Sequence, residues 1–466
     1  MQLHKKSFAL KSVSLVSALL SMTACSFNPA PKPDIHYAEH YSVASVQAAA
    51  AVDVNWWQSF QSLELNELML AAQQQSPDLL ISAERVKQAE LQLRIANASW
   101  FPSLGASASS GESRSKADGS NSLRSESTRA AVNISYEIDL WGGIAAGRRS
   151  ARAGFDATRF DQDAAALSIR AAIANGWFQW LALQQRILTV NSNIAIAERI
   201  QKVVDARYHN GVATAADVAQ QKTNLLNQRS SLLPLQLQAR QTRSALAVLL
   251  GKTPQEFSLT AAQLMEMNVP QIAAGTPADL VTRRPDLAAS EADLRAANAN
   301  IQAARAAMLP GISLGANAGR STSELFRLNP ATQSSGWALS LAQTLFDGGR
   351  LVNQKRLSEA RRSELVLQYH KAILMALQEV DNALTAAEVS ERQEANQQKI
   401  VANAERSLRL TEARYRAGSN DLLSLLDAQR SLFQAQDSLV QQRLSRLNAA
   451  VDLYKALGGG WTLATN

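Results

Sequence analysis

The chain has 466 residues, with 47 Lys and Arg, 40 Asp and Glu, five His and one Cys. Charges of both signs are mixed along it, and no basic run is interleaved with aromatic residues, so there is no reason to expect a nucleic-acid partner. A single cysteine excludes an internal disulfide framework.

The first predicted element is an export signal. Three lysines precede the apolar run from Val13 to Leu20, and small residues lead from there to Cys25. This order predicts a secretory signal peptide over residues 1–24, because the apolar run is too short to span a bilayer as a helix. Thr23-Ala24 before the cysteine resembles a bacterial lipobox, so we expect cleavage before Cys25 and lipid attachment to it. Ser26 follows the cysteine, where an aspartate would resemble an inner-membrane retention signal, so we expect sorting to the outer membrane. The alternative interpretation of Cys25 is a buried free thiol.

The remainder of the chain contains one unit twice. Ser76-Pro77-Asp78-Leu79 recurs 208 residues later as Arg284-Pro285-Asp286-Leu287, and Trp100-Phe101-Pro102 recurs at the same offset as Met308-Leu309-Pro310. A constant offset predicts an internal duplication. The predicted organisation is a lipid-anchored segment over 25–75, a first repeat over 76–260, a linker over 261–283, a second repeat over 284–458 and a tail over 459–466.

Each repeat contains a pair of predicted strands. In segments 132–138 and 337–345 apolar residues alternate with polar or small ones, and Gln343 is the one break. A period of two indicates strands with one apolar and one more polar face. Partner strands are predicted at 102–111 and 310–319, with exposed loops at the Ser/Gly/Asn-rich segments 112–127 and 320–335.

Helices make up most of each repeat. Ile373, Leu377, Val380, Leu384 and Ala387 step by four and three residues, which is the heptad seam of a coiled coil. An arm of about 65 residues would reach on the order of 100 Å at ~1.5 Å per residue. The predicted helices cover 79–99 and 287–307, each ending at a proline, and 144–251 and 350–458, each turning back once, at 208–211 and 415–418.

Four strands of about ten residues fit the hydrocarbon layer as tilted strands. The smallest usual barrel has about eight strands, so several chains would have to contribute, with the polar faces lining a lumen. After the signal no stretch of 18 or more apolar residues occurs, so a membrane crossing would require such strands. The alternative is an ordinary sheet that caps a soluble coiled coil.

Further motifs are Cys25, Trp56-Trp57, Arg283-Arg284-Pro285-Asp286-Leu287, Leu345-Phe346-Asp347-Gly348-Gly349, Ala413-Arg414-Tyr415-Arg416-Ala417-Gly418, Leu426-Asp427-Ala428-Gln429-Arg430 and the ending Leu453 to Trp461. With these motifs the chain resembles the outer-membrane factor family, the TolC-like proteins, and within it the lipoproteins of NodT type. The resemblance implies an α+β membrane protein, a homotrimer with a shared twelve-stranded outer-membrane β-barrel, four strands from each chain, and a long periplasmic α-helical barrel of coiled coils. It implies an equatorial region built from residues near 26–75, 252–280 and the C-terminal tail. The implied partners are a periplasmic adaptor protein, an inner-membrane pump of the resistance-nodulation-division type and outer-membrane lipid.

The resemblance also gives roles to residues at the two inter-helix turns. By pattern alone, the tyrosines there indicate simple packing and the charged residues indicate a solvated face. In the family, by contrast, Tyr, Arg and Asp contacts between neighbouring coils close the entrance, and a ring of aspartates narrows it. Asn420 stands where TolC has an arginine, so we expect Arg414 to make the inter-coil link. Ser424 is not acidic, so Asp427 would supply the single ring. The expected periplasmic gate residues are Tyr208, Asp217, Arg414, Tyr415, Leu423 and Asp427.

No catalytic, cofactor-binding or metal-binding constellation stands out. His36 and His40 are four residues apart, which on a helix could bind a metal, but prolines lie just upstream and no third ligand is evident. A zinc site at this pair and a periplasmic enzyme are therefore only rival interpretations. We expect a passive exit duct of a tripartite efflux system for drugs or other toxic compounds. The alternatives are a copper or silver efflux duct of the same family, although no methionine-rich run points to soft metals, and a non-transport periplasmic coiled-coil lipoprotein.

Overall fold

The computed structural model describes residues 41, 52–116, 118–119, 121–260, 263–272 and 276–462. All of them belong to one compact unit, Ile35–Asn466. The predicted signal peptide, Cys25 and the pair His36 and His40 lie outside the described residues.

The order of elements repeats: a helix, two strands, a very long helix and a shorter return helix. This arrangement confirms the α+β class and the internal duplication. Among the described helices, none has both the length and the apolar composition of a membrane span. The elements are α1 (Leu63–Gln75), α2 (Pro77–Ala98), β1 (Ser103–Ser115), β2 (Leu123–Ile138), α3 (Gly143–His209), α4 (Ala215–Leu249), α5 (Leu280–Arg283), α6 (Pro285–Ala306), β3 (Gly311–Thr322), β4 (Thr332–Ala342), α7 (Arg350–Arg416) and α8 (Leu422–Ala456), with short 3-10 helices at Trp56–Phe60, Leu264–Glu266 and Pro277–Asp279.

The two copies match in length as well as in order. Helices α3 and α7 have 67 residues each, so each extends on the order of 100 Å. The return helices α4 and α8 have 35 residues each and pack against α3 and α7. Ile373, Val380 and Leu384 of the predicted seam are buried in one apolar cluster. The coiled-coil prediction is therefore confirmed for α7.

The four strands form one antiparallel sheet in the order β1-β2-β3-β4. Leu104, Ile134, Ala316 and Trp337 lie side by side in one row, and the next row consists of Gly105, Asn133, Asn317 and Gly336. Because side chains alternate between the two sides of a strand, the first row belongs to an apolar face and the second to a polar face. The two-faced sheet predicted from alternation is confirmed, and β1 and β4 are its free edges.

The strands are longer than the sequence pattern predicted. Strand β1 continues to Ser115 and β2 begins at Leu123, so much of the predicted loop 112–127 is paired backbone. In this region Arg124 forms ion pairs with Glu112 at 2.9 Å and Glu126 at 2.6 Å. The alternation of apolar residues did not indicate these strand ends, because their residues are charged or small. Backbone hydrogen bonds between strands form without apolar side chains. The predicted loop 320–335 is shortened in the same way, to the segment between β3 and β4.

Among the described residues, the largest apolar core lies where the 3-10 helix Trp56–Phe60 and α1 meet the middle of α3 and the end of α8. Trp56 stacks on Tyr454 with 5.2 Å between ring centroids, and Phe60 packs on Phe178 at 5.0 Å. Trp177 is also fully buried in this cluster. Large aromatic side chains in one cluster fix the N-terminal segment and the C-terminal helix to the first long helix.

Gly251 and Gly458 occupy equivalent positions in the two repeats. Each follows a return helix and has a positive φ, 67° and 86°. A Cβ atom on Gly251 would overlap the carbonyl oxygen of Gln75, and one on Gly458 would overlap that of Arg283. Both glycines therefore let the end of a return helix approach the backbone just before the proline that begins α2 or α6, and a side chain would prevent this contact.

Candidate functional site

The ends of the two helical hairpins form a small apolar cluster. Ile200 and Val204 of α3 pack there with Leu408 of α7 and with Leu422 and Leu425 of α8. All six predicted gate residues lie at or near these ends. The cluster holds the two turns together and gives the surrounding polar side chains a fixed framework.

Asp217 acts as a helix cap in this structure. Its Oδ2 accepts hydrogen bonds from the backbone N–H of Thr214 at 2.8 Å and from the Thr214 hydroxyl at 2.9 Å, and the Asp217 N–H donates to that hydroxyl oxygen at 3.2 Å. This is a capping box at the start of α4. The second turn has a related cap, in which the Asp421 side chain accepts a bond from the Ser424 N–H at 2.9 Å.

Tyr415 is buried, with 3% of its surface exposed, and Arg207 of the other hairpin lies over its ring. The Arg207 Cζ is 4.5 Å from the ring centroid, and an Arg207 N–H also donates to the Tyr415 carbonyl oxygen. Burial raises the pKa of Tyr415, the nearby Arg207 lowers it in part, and Asp217 raises it further. The Arg207–Tyr415 pair is therefore a polar contact between the two hairpins of one chain.

The repeat-equivalent residues, Tyr208 and Arg414, are placed differently. Tyr208 is 45% exposed and touches only its neighbour His209 among the described ring contacts. The Arg414 side chain is exposed, and its carbonyl oxygen accepts bonds from the Ser419 N–H and hydroxyl. Within the chain the inter-hairpin link is thus made by Arg207, which the sequence analysis missed. The recurring Ala-Arg-Tyr motif was the available signal.

A second polar contact also joins the hairpins. Glu412 of α7 is buried, and its carboxylate binds Arg199 of α3 at 3.0 Å and Arg416 at 2.6 Å. Because Arg199 belongs to the first hairpin and Glu412 to the second, their ion pair holds α3 and α7 together near the turns, while Arg416 binds the same carboxylate from within α7. Sequence reasoning had no signal for this contact.

Leu423 and Asp427 lie on one exposed side of α8, one turn apart. Leu423 is 58% exposed, whereas Leu422 and Leu425 on the other side are buried. Asp427 forms an ion pair with Arg430 at 2.6 Å, and both side chains are more than half exposed. An exposed pair of this kind contributes little to stability, so Asp427 keeps an accessible charge that Arg430 partly offsets.

The residues that the structure describes include no group of three or more His, Cys, Asp and Glu side chains able to hold a metal ion.

Residues 68–252 and 276–459 match a family model described as outer membrane efflux protein. The two matched segments correspond to the two structural repeats. The chain belongs to the outer membrane efflux protein family, and its function is that of an outer-membrane exit channel of an efflux system.

Several known proteins are similar along nearly the whole chain. The pyoverdine export outer membrane protein OpmQ of Pseudomonas putida is 38% identical over 459 residues, 96% of this chain and 97% of OpmQ. The probable efflux pump outer membrane protein TtgC of Pseudomonas putida is 32% identical over 431 residues, 90% of this chain and 88% of TtgC. The solved outer membrane channel CmeC of Campylobacter jejuni superposes with a TM-score of 0.87 over 95% of this chain and 96% of CmeC, at 22% identity. This last likeness shows the TolC-like fold.

Proposed function

We propose that three copies of this chain join their sheets into one twelve-stranded barrel that forms the outer-membrane part of the duct. The observation that carries this proposal is the open four-stranded sheet with an apolar and a polar face. Strands β1 and β4 leave unpaired backbone groups that another copy can pair. Closure places the apolar face toward lipid and the polar face toward a water-filled lumen.

The long hairpins then extend from the outer membrane into the periplasm. There the duct receives cargo from a periplasmic adaptor and an inner-membrane pump of the resistance-nodulation-division type, and lipid on Cys25 anchors the N-terminal segment. The similarity to TtgC, a probable efflux pump outer membrane protein, supports the pump connection. The duct is passive and has no enzymatic role, because the pump supplies the energy.

The cargo we propose is an organic toxic compound such as a drug. Pyoverdine is a second candidate, favoured by the 38% identity to OpmQ over 97% of that protein. Two measurements on a deletion strain, with and without the restored chain, distinguish the two candidate cargoes. They are survival on antibiotics and secretion of pyoverdine. Restoration of secretion alone would remove drugs as the main cargo.

Assembly is tested on the full chain in mild detergent by mass measurement and in planar bilayers by single-channel recording. A mass of three copies and discrete conductance steps are expected. A stable monomer with all four strands protected from exchange would contradict the duct.

The entrance is the proposed gate, with Leu423 and Asp427 of three chains forming an apolar and an acidic constriction. Asp427→Ala is expected to weaken cation preference, because the ring loses its charge. Arg430→Ala is the matched variant and is expected to strengthen that preference, because it frees Asp427 from its 2.6 Å ion pair. Unchanged ion preference in both variants would mean that this side of α8 does not face the pore.

A further inference from the structure

The polar face of the sheet carries almost no charge and almost no large side chain. Its members are the odd-numbered residues of β1, β2 and β3 and the even-numbered residues of β4. In the described strands these residues are Gly, Ala, Ser, Thr or Asn, apart from Leu123, Arg129 and Glu137. Two opposite charges therefore stand on an otherwise small and neutral surface.

Arg129 projects from this surface without an acidic neighbour. Ser109 lies directly across from it on β1 and Ser321 on β3, and Ser127 and Ala131 flank it on the same face of β2. Arg129 is exposed and belongs to no ion pair among the described residues. A long cationic side chain among such small ones must extend above them into the space that this face lines.

Glu137 has similar surroundings near the other end of β2. Ser313 lies across from it on β3, and Ser135 is its neighbour on the same face. Eight residues separate it from Arg129, which corresponds to about 26 Å along the strand. Glu137 is at the end of the sheet nearest α3, and Arg129 is nearer the β1–β2 turn.

Charges on the opposite face are arranged differently. Glu112, Arg114, Arg124 and Glu126 share the apolar face by register and neutralise one another in ion pairs of 2.6–2.9 Å. An unpaired charge has a longer-range field than a paired one. The polar face therefore keeps two uncompensated charges, whereas this cluster on the apolar face is internally neutral.

We propose that Arg129 and Glu137 determine the charge selectivity of the barrel lumen. The inference rests on the proposed trimeric duct, in which each residue is present three times around one axis. The Arg129 ring would draw anionic groups of the cargo, such as carboxylates, toward the exit, and the Glu137 ring would draw cationic groups at the periplasmic end.

The test is the reversal potential of the full-length channel in planar bilayers under a potassium chloride gradient. Compared are the unchanged chain, Arg129→Ser, Arg129→Lys and Glu137→Gln. The matched control is Arg320→Ser, because Arg320 is also exposed but lies on the apolar face, across from Ala130 and Gln333. Low salt is essential, since the screening length is about 30 Å at 0.01 M but about 3 Å at 1 M.

Arg129→Ser is expected to raise the potassium-to-chloride permeability ratio by about twofold or more at low salt. This change is modest beside the ~10- to 1,000-fold enrichment that charged clefts reach, because a twelve-stranded lumen is wide. Glu137→Gln is expected to lower the ratio, Arg129→Lys and Arg320→Ser to preserve it, and all differences to vanish at 1 M salt.

Equal ratios for the unchanged chain and Arg129→Ser at low salt would overturn the proposal, and so would an equal shift from Arg320→Ser. If Arg129→Ser fails to assemble, the comparison of Glu137→Gln with Arg129→Lys tests the same proposal. Equal potassium-to-chloride permeability ratios in these two variants would overturn it as well. If the unchanged chain forms no channel, the proposed duct fails instead, so the two failures can be told apart.

Discussion

Arg207→Ala should loosen the contact between the two hairpin ends. Arg207 contributes a guanidinium over the Tyr415 ring at 4.5 Å and an N–H bond to the Tyr415 carbonyl oxygen. The ring contact is worth roughly 0.5–1 kcal/mol at a partly exposed site, and the charged hydrogen bond roughly 1.5–3 kcal/mol. The Nε of Arg207 is buried without a partner, which offsets part of the gain, so the total is taken as about 2 kcal/mol. That value shifts the balance between packed and separated ends about 30-fold.

Hydrogen exchange on the assembled protein measures this shift directly. Backbone amides near Tyr415 should exchange about 30-fold faster in Arg207→Ala, since opening of this last turn of α7 also breaks the Arg207 contacts in the unchanged protein. The same variant should raise single-channel conductance and sensitise cells to a large antibiotic such as vancomycin. Tyr415→Phe keeps both the ring and the carbonyl group, so we expect a small effect from it.

Arg414→Ala is the matched control, because Arg414 is the repeat-equivalent arginine and its side chain is exposed. We expect no change in exchange near Tyr415 in this variant. Equal exchange rates in Arg207→Ala and the unchanged protein would refute the contact as the link between hairpins. Equal acceleration by Arg414→Ala would mean that lost positive charge, and not the stacked geometry, is responsible.

Three further predictions concern other parts of the chain. Burial raises the pKa of Glu64 more than the hydrogen bonds from the Thr260 N–H and the Trp177 indole lower it. Ionised Glu64 therefore lowers the stability of the folded chain at neutral pH. This loss of stability disappears as the pH falls through the folded-state pKa of Glu64. Glu64→Gln should therefore raise the circular-dichroism unfolding midpoint by ~1–2 °C at pH 7 but not below the ordinary pKa of 4.5; an equal gain at both pH values would contradict this assignment. Gly458→Ala should lower the midpoint, because the residue has φ of 86° and its Cβ would overlap the Arg283 carbonyl oxygen, at a cost of about 2 kcal/mol or more. Gly147→Ala is its control, since a Cβ there meets nothing within 4 Å in α3, and a similar loss in both variants would argue against the overlap. Cys25→Ser should abolish palmitate labelling but leave trimers in detergent, because the strands supply most of the membrane burial; persistent label would remove the lipid anchor.

Much of the fold could be predicted because its signals are local or periodic. The alternation in segment 132–138 and the heptad from Ile373 depend only on which face of a strand or helix is buried. The boundaries of β1 and β2 were missed, since Glu112 and Arg124 pair across the sheet and nothing in their local sequence indicates a strand. The predicted gate residues Leu423 and Asp427 do share one exposed side of α8, as their spacing of four implied.

The sequence by itself determined the two repeats, the period of each element and the positions of both turns. Only the tertiary structure decided how the Ala-Arg-Tyr motif is used in each copy. Tyr415 is 3% exposed and lies under Arg207, whereas Tyr208 is 45% exposed and Arg414 is also exposed. Near-identical motifs cannot encode this difference locally, because the burial of each side chain depends on which other helices pack against it. Contacts between α3 and the second hairpin remove the equivalence of the repeats and create the link between the hairpin ends.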